Sequence, residues 1–369
     1  MWNYRQPTEI RFGIGERKAL PEIVVRFGER PVLVTDPGIR DLPMTKEILE
    51  ELGPDAWLFS EVEPNPTVSS VDNLAETINT HDADVVIALG GGSSLDCAKA
   101  ACSVACQGGP ARKYHSEGTA FDSRHLPLIA VPTTAGTGSE VTPISVLDDP
   151  EKGIKAPLAH DNFFPKVAVI DPELTLTMPK HVTAATGFDA LAHAIEGYWS
   201  KNHQPICDLM ALETVRLFFK HFPIVLNDGS NIEAREGMSM AALLGGLAFQ
   251  LPKNAAVHAC SYPLSSKYHL PHGVACAMTL DHFVRFNSPA MGDRGIALAE
   301  AAGMEDMFAL ADAIAELKSR SGLPTTLRDV HIREEDLDRL VQASFHPIMS
   351  NNPREVTPED LKWLYLQML

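Results

Sequence analysis

The stretch DVVIALGGGSSLDCAKAACSVAC (84–106) carries the reading of the fold. Its first half is almost purely apolar, the pattern of a strand buried on both faces of a parallel sheet. Gly90, Gly91 and Gly92 then break the run, and Ser93 and Ser94 open a segment with helical spacing. Glycine lets a backbone approach a pyrophosphate closely, and a helix start offers free N–H groups and a positive dipole end. The motif is not G-x-G-x-x-G, so it reads either as a nucleotide cradle or as a tight strand–helix turn.

The same alternation continues outward. PVLVTD (31–36) reads as a strand, MTKEILEEL (44–52) as a helix, AWLFSEV (56–62) as a strand and TVSSVDNLAETINTH (67–81) as a helix. LPLIAVPTT (126–134) and KVAVIDP (166–172) add two more strands. Strand–helix alternation predicts a doubly wound α/β fold. After Pro179 the texture turns helical, through segments such as AATGFDALAHAIEGYWS (184–200) and REGMSMAALLGGLAFQ (235–250). The last helix is expected to start at Thr357 as N-cap, with Pro358 in the first helical position. The expected architecture is an α/β domain over 1–178 followed by an all-α domain over 179–369. A cleft between such domains is a natural ligand site.

Composition narrows the function classes. The 369 residues include 31 basic and 48 acidic side chains, a net charge of -17. That excludes nucleic acid or an anionic membrane as the main partner, because both need a concentrated basic surface. No apolar run is long enough to span a bilayer. The opening MWNYRQPTEIRF lacks the basic and apolar regions of a secretory signal, so a cytoplasmic location is expected. Cys97, Cys102 and Cys106 share one predicted helix and read as buried small residues.

VPTTAGTGSEVT (131–142) follows a strand and holds four threonines, a serine and two glycines, which suits a loop that hydrogen-bonds a ligand. Asp36 ends the first clear strand; there it is a turn residue or an acceptor for ribose hydroxyls, and the latter role favours NAD over NADP. In GFDALAHAIEGY (187–198), Asp189 and His193 stand four apart and so share a helix face. His258 and His272 follow, with Pro263 and Pro271 expected to interrupt any long helix. Three imidazoles and a carboxylate suit iron(II), zinc, nickel or manganese.

Taken together, VTD, EPNPT (63–67), GGGSSLDCAK, PTTAGTGSE, GFDALAHAIEGY, His258, PHG (271–273) and NNPR (351–354) resemble the iron-containing, or group III, alcohol dehydrogenase family, in order and over essentially the whole chain. The resemblance implies an α/β N-terminal dinucleotide-binding (Rossmann-like) domain and an all-α C-terminal metal-binding domain, in which Asp189, His193, His258 and His272 hold iron(II) or zinc. It implies NAD contacts from Asp36, Gly91, Gly92, Ser93, Asp96, Thr133, Thr134, Thr137 and Lys155. Phe249 matches the family's pocket aromatic, and family habit suggests a homo-oligomer.

Two departures bear on chemistry. Tyr262 stands where many members have a second histidine, so Tyr262, His269 or a water chain is left to carry the proton. Lys253 stands where a small residue is expected, in FQLPKNAAVH (249–258), either solvated or holding an anionic substrate tail. The expected activity is NAD(H)- and metal-dependent interconversion of a small aldehyde and alcohol. The alternatives are a lyase of the dehydroquinate synthase-like type and a non-catalytic nucleotide- or metal-binding protein.

Overall fold

The computed structural model describes residues 1–369. They group into a sheet unit, Arg5–Thr134 with Ser139–Thr177, and a helical unit, Met1–Tyr4, Ala135–Gly138 and Met178–Leu369. No helix is long and apolar enough to cross a membrane.

In the sheet unit, runs of valine, isoleucine and leucine without a charge form the inner strands. The elements in chain order are β1 (Glu9–Phe12), α1 (Leu20–Val24), β2 (Pro31–Val34), α2 (Pro43–Leu52), β3 (Trp57–Phe59), α3 (Val68–Thr80), β4 (Val85–Gly90), α4 (Gly92–Gln107), α5 (Ala111–His115), β5 (Leu128–Pro132), β6 (Ile144–Asp149), β7 (Ile154–Ala159) and β8 (Val167–Ile170). Six strands form one sheet in the order β1-β8-β5-β4-β2-β3, every pair parallel. Alternate residues face opposite sides. Val32, Val34, Val86 and Ala88 pack with α3 and α4, whereas Leu33, Val85, Ile87 and Leu89 pack with α1 and α2.

That division follows from connection handedness. The chain steps from β2 to β3 in one direction, then returns past β2 to β4 and continues to β5 in the other. Right-handed crossovers in opposite directions place their helices on opposite faces. The carboxyl ends of β2 and β4 therefore border a topological switch point, where open α/β sheets bind ligands.

Three strands carry no clear signal in the sequence. β1 is an edge strand of mixed polarity, EIRF, with no buried residue. β6 and β7 pair antiparallel as a separate hairpin, and β7 has no buried residue either. The strands expected over 31–36 and 56–62 end earlier, at Val34 and Phe59.

The helical unit contains α6 (Lys180–Trp199), α7 (Pro205–Asn227), α8 (Ile232–Phe249), α9 (Ala256–Tyr268), α10 (His272–Met291), α11 (Asp293–Ala301), α12 (Met307–Arg320), α13 (Leu337–Ser344) and α14 (Pro358–Gln367). From Gly187 to Trp199 every residue of α6 is buried, as expected for a helix enclosed by others, here α7, α8 and α10. Thr357 caps α14 in a reciprocal capping box with Asp360, and Pro358 holds the first helical position. Pro263 corrects an expectation: it lies buried inside α9 and does not end it. Packing of α9 against α10 and α13 sustains the helix through the missing N–H.

Candidate functional site

The buried face of α6 presents Asp189 and His193 one turn apart. His258 comes from the first turn of α9, and His272 is the first residue of α10. Asp189 Oδ1 is 3.6 Å from His272 Nε2, 3.7 Å from His258 Nε2 and 3.9 Å from His193 Nδ1. Asp189 Oδ1, His193 Nδ1 and His258 Nε2 are buried with no hydrogen-bond partner. Each such orphan costs about 1–3 kcal/mol, so three converging on one point need a common partner. Donors bound to one ion at about 2.0–2.2 Å in tetrahedral geometry lie roughly 3.4 Å apart. The observed spacings are close to this, and the donor set fits a divalent cation.

Local packing explains the convergence. A side chain at Gly273 would come within 2.0 Å of the Ala185 carbonyl oxygen, so only glycine lets the start of α10 close on α6 and deliver His272. Burial raises the Asp189 carboxyl, but His193, His272 and His258 outweigh it and hold the group well below the usual carboxylate range. Burial depresses His193 to about 3, leaving a neutral imidazole. The His272 side chain is 34% exposed, against 3%, 6% and 2% for Asp189, His193 and His258. The cluster is thus accessible along His272.

Two residues at this centre lie outside the sequence expectation. Glu196, fully buried on α6, accepts hydrogen bonds from His258 Nδ1 at 2.5 Å and from the Val257 backbone N–H at 2.7 Å. Cys276 Sγ lies 3.9 Å from His272 Nε2. Both had a legible signal: Glu196 follows Asp189 by seven residues, and Cys276 follows His272 by four, each on the helix face of its partner.

Phe249 stacks on His193, with centroids 4.2 Å apart and planes 13° from parallel. Four residues on, Lys253 donates its backbone N–H to the Phe249 carbonyl at φ 64°, a left-handed conformation uncommon outside glycine and asparagine. The Lys253 side chain is exposed, yet surrounding protein desolvates the ammonium and lowers its pKa. Tyr262, one turn beyond His258, meets the His346 ring edge-on at 5.0 Å, and burial raises its phenol pKa. His269 is exposed and takes the left-handed C-cap of α9, at φ 58°.

In the sheet unit, α4 begins at Gly92 with Gly91 as N-cap and no side-chain cap, so its first amides remain available. A Cβ at Gly90 would lie 2.4 Å from Ser94 Oγ and 3.5 Å from Asp36 Oδ2; one at Gly91 would touch the Thr134 side chain. Asp36 and the glycine turn therefore meet at the switch point. Lys155 Nζ donates to Asn65 Oδ1 at 2.8 Å, and the Asn65 backbone N–H donates to Ser93 Oγ at 3.3 Å. This chain joins β7, the EPNPT loop and the start of α4. Thr133 donates its backbone N–H to Gly90 O at 3.0 Å.

Asp96 is engaged internally: its carboxylate accepts from Ser139 Oγ at 2.6 Å and from the Val146 backbone N–H at 2.8 Å. Beside it, the fully buried Lys99 Nζ donates to Ser139 Oγ and Ile144 O. Thr137 falls in Ala135–Gly138, within the helical unit.

One chain thus combines a parallel sheet with an uncapped helix start at its switch point and a helical unit with a buried carboxylate–imidazole cluster. Those features provide, on one chain, a place suited to a phosphate-bearing ligand and a donor set suited to a divalent cation. Residues 7–172 match the family model "Iron-containing alcohol dehydrogenase", and residues 183–369 match "Fe-containing alcohol dehydrogenase family, C-terminal". The chain is 31% identical to the NAD-dependent methanol dehydrogenase of Bacillus methanolicus, covering 98% of each protein. It is 34% identical to the 1,3-propanediol dehydrogenase of Citrobacter freundii, covering 100% of this chain and 98% of that one. Among solved structures, the sulfoacetaldehyde reductase of Bifidobacterium kashiwanohense in complex with NAD+ superposes with a TM-score of 0.96 at 43% identity, covering 100% and 98% of the two chains. The protein belongs to the iron-containing alcohol dehydrogenase family.

Proposed function

We propose that this protein is an NAD(H)-dependent, divalent-metal-dependent aldehyde reductase/alcohol dehydrogenase whose substrate is a short aldehyde or alcohol with an anionic tail. The carrying observation for the substrate class is Lys253: an ammonium with no ion pair, on a left-handed backbone, one turn beyond the aromatic ring stacked on His193. A non-glycine residue in this conformation costs on the order of 1 kcal/mol or more and persists where the surroundings over-determine it. An unpaired, partly desolvated cation selects an anion. The name of the sulfoacetaldehyde reductase, which denotes a sulfonate-bearing aldehyde, supports the same reading.

Asp189, His193, His258 and His272 are the residues that would hold the ion, which is iron(II) or zinc. When bound, the ion supplies Lewis-acid polarisation of a substrate oxygen, and the nicotinamide gives or takes the hydride. Glu196 keeps the proton of His258 on Nδ1, so Nε2 keeps its lone pair for the centre. Phe249 covers the ring of His193 and excludes water from that face. Tyr262, its phenol kept neutral by burial, holds the proton that the substrate oxygen gains on reduction. In the sheet unit, Asp36 accepts from ribose hydroxyls, the amides of α4 take the pyrophosphate at Gly91, Gly92 and Ser93, and Thr134 and Lys155 flank it.

The test is NADH oxidation by metal-stripped protein reloaded with iron(II) or zinc, across short neutral aldehydes and their sulfonate, carboxylate and phosphonate counterparts. Metal-dependent turnover with a higher kcat/KM for an anionic aldehyde is expected. A preference for the neutral series would refute the substrate class, and absence of turnover with every metal would refute the reductase reading.

A further inference from the structure

His272 and Cys276 stand four residues apart on α10, as Asp189 and His193 do on α6, so each helix offers two donors from one face. Cys276 is fully buried and forms no disulfide. A buried cysteine usually packs as a small hydrophobe, but the surroundings here are polar. The donor atoms of Asp189, His258, His272 and Cys276 all lie within 4.8 Å of one another, and His193 falls outside this mutually close set. Two of the four, Asp189 Oδ1 and His258 Nε2, are buried and without partners.

The spacing suits sulfur as well as nitrogen. Metal–nitrogen bonds of about 2.0–2.1 Å and metal–sulfur bonds of about 2.3 Å place neighbouring N and S donors roughly 3.1–3.6 Å apart, from the right angles of a five-coordinate ion to the tetrahedral angle. His272 Nε2 and Cys276 Sγ are 3.9 Å apart, and Asp189 Oδ1 makes edges of 3.6 and 3.7 Å with the two imidazoles.

Building on the metal reading above, we propose that Cys276 Sγ is a direct donor to the bound ion, adding sulfur to a set of imidazoles and one carboxylate. As the metal–sulfur bond forms, the S–H bond breaks and its proton passes to solvent. Thiolate is a soft ligand and adds to the affinity of a nitrogen–oxygen set for zinc.

Cobalt(II) substitution reads this directly. Wild-type protein stripped of metal and loaded with cobalt(II) should show visible d–d bands together with a near-ultraviolet sulfur-to-cobalt charge-transfer band. Cys276→Ser should lose the charge-transfer band and retain the visible bands. X-ray absorption on the zinc-loaded wild type should show a sulfur shell at about 2.3 Å, and this measurement decides alone if Cys276→Ser fails to fold or load. Visible bands with no charge-transfer band, or a shell of nitrogen and oxygen only, would overturn the role of Cys276 while leaving the metal centre intact. Failure of the wild type to take up either ion would overturn both readings.

Discussion

Glu196 and His258 are joined twice: the carboxylate accepts from the imidazole Nδ1 and also from the backbone N–H of His258, at 3.3 Å. The same group takes the Val257 amide, and α9 has no side-chain cap of its own at its N-terminus. One residue of α6 therefore caps α9 and orients its imidazole. Glu196→Gln should lower metal affinity by about 10- to 100-fold, the usual cost of losing an outer partner of a ligating histidine. Competition with a chromophoric chelator measures this, and unchanged affinity would reduce Glu196 to a helix cap.

Tyr262 is assigned to proton transfer and not to metal binding. Tyr262→Phe should reduce kcat by about 100-fold or more, within the range for loss of a general acid, with metal content unchanged. If kcat held and only KM moved, the ring would be a wall of the pocket and the proton would travel elsewhere.

The Lys253 ammonium and an anionic tail should form a charge-assisted contact of about 1.5–3 kcal/mol. Lys253→Met should raise KM for anionic aldehydes by about tenfold or more and leave neutral aldehydes within twofold. An equal effect on both series would show that the lysine is a solvated surface residue.

Asp36 Oδ2 faces the glycine turn of β4, where its charge would repel a 2′-phosphate. Asp36→Ser should improve kcat/KM for NADPH relative to NADH by about tenfold or more, a modest coupling of roughly 1.4 kcal/mol. A ratio insensitive to this change would confine Asp36 to its turn, where it already accepts the Gly38 N–H.

Glu140 gives a stability prediction. Burial raises its carboxyl from 4.5 to about 7. A pKa raised by folding contributes stability that is complete below the unfolded value and is lost as pH rises through the folded one. Wild-type stability should therefore fall, relative to Glu140→Gln, between about pH 4.5 and 7, by on the order of 3 kcal/mol. Urea denaturation of both proteins at pH 5 and pH 8 checks this; parallel profiles would show that Glu140 ionises freely in the fold.

Elements with strong local signals were legible from composition and spacing. The apolar run of β4, the glycine break and the start of α4 read correctly because a strand enclosed by two helical layers excludes charge. Thr357 and Pro358 announced α14 because a cap is chemistry within four residues. The strands β1 and β7 were silent: neither buries a residue, so hydrophobic patterning had nothing to report. Pro263 misled for the opposite reason, since burial between helices outweighed its intrinsic preference.

The site divides along similar lines. Sequence by itself determined the chemistry available: which carboxylate, imidazoles and hydroxyls exist, and that Asp189 with His193 share a helix face, because α-helical periodicity is local. Tertiary structure decided how they are used. The approach of α10 to α6 at Gly273 and Ala185 brings His272 and Cys276 to Asp189. The fold of α9 onto α6 pairs Glu196 with His258 across sixty-two positions of chain. In the sheet unit, folding likewise joins Asp96 of α4 to Ser139 and to the Val146 amide. These contacts depend on which buried polar groups find partners when helices pack, a property of the assembled core and of no segment within it.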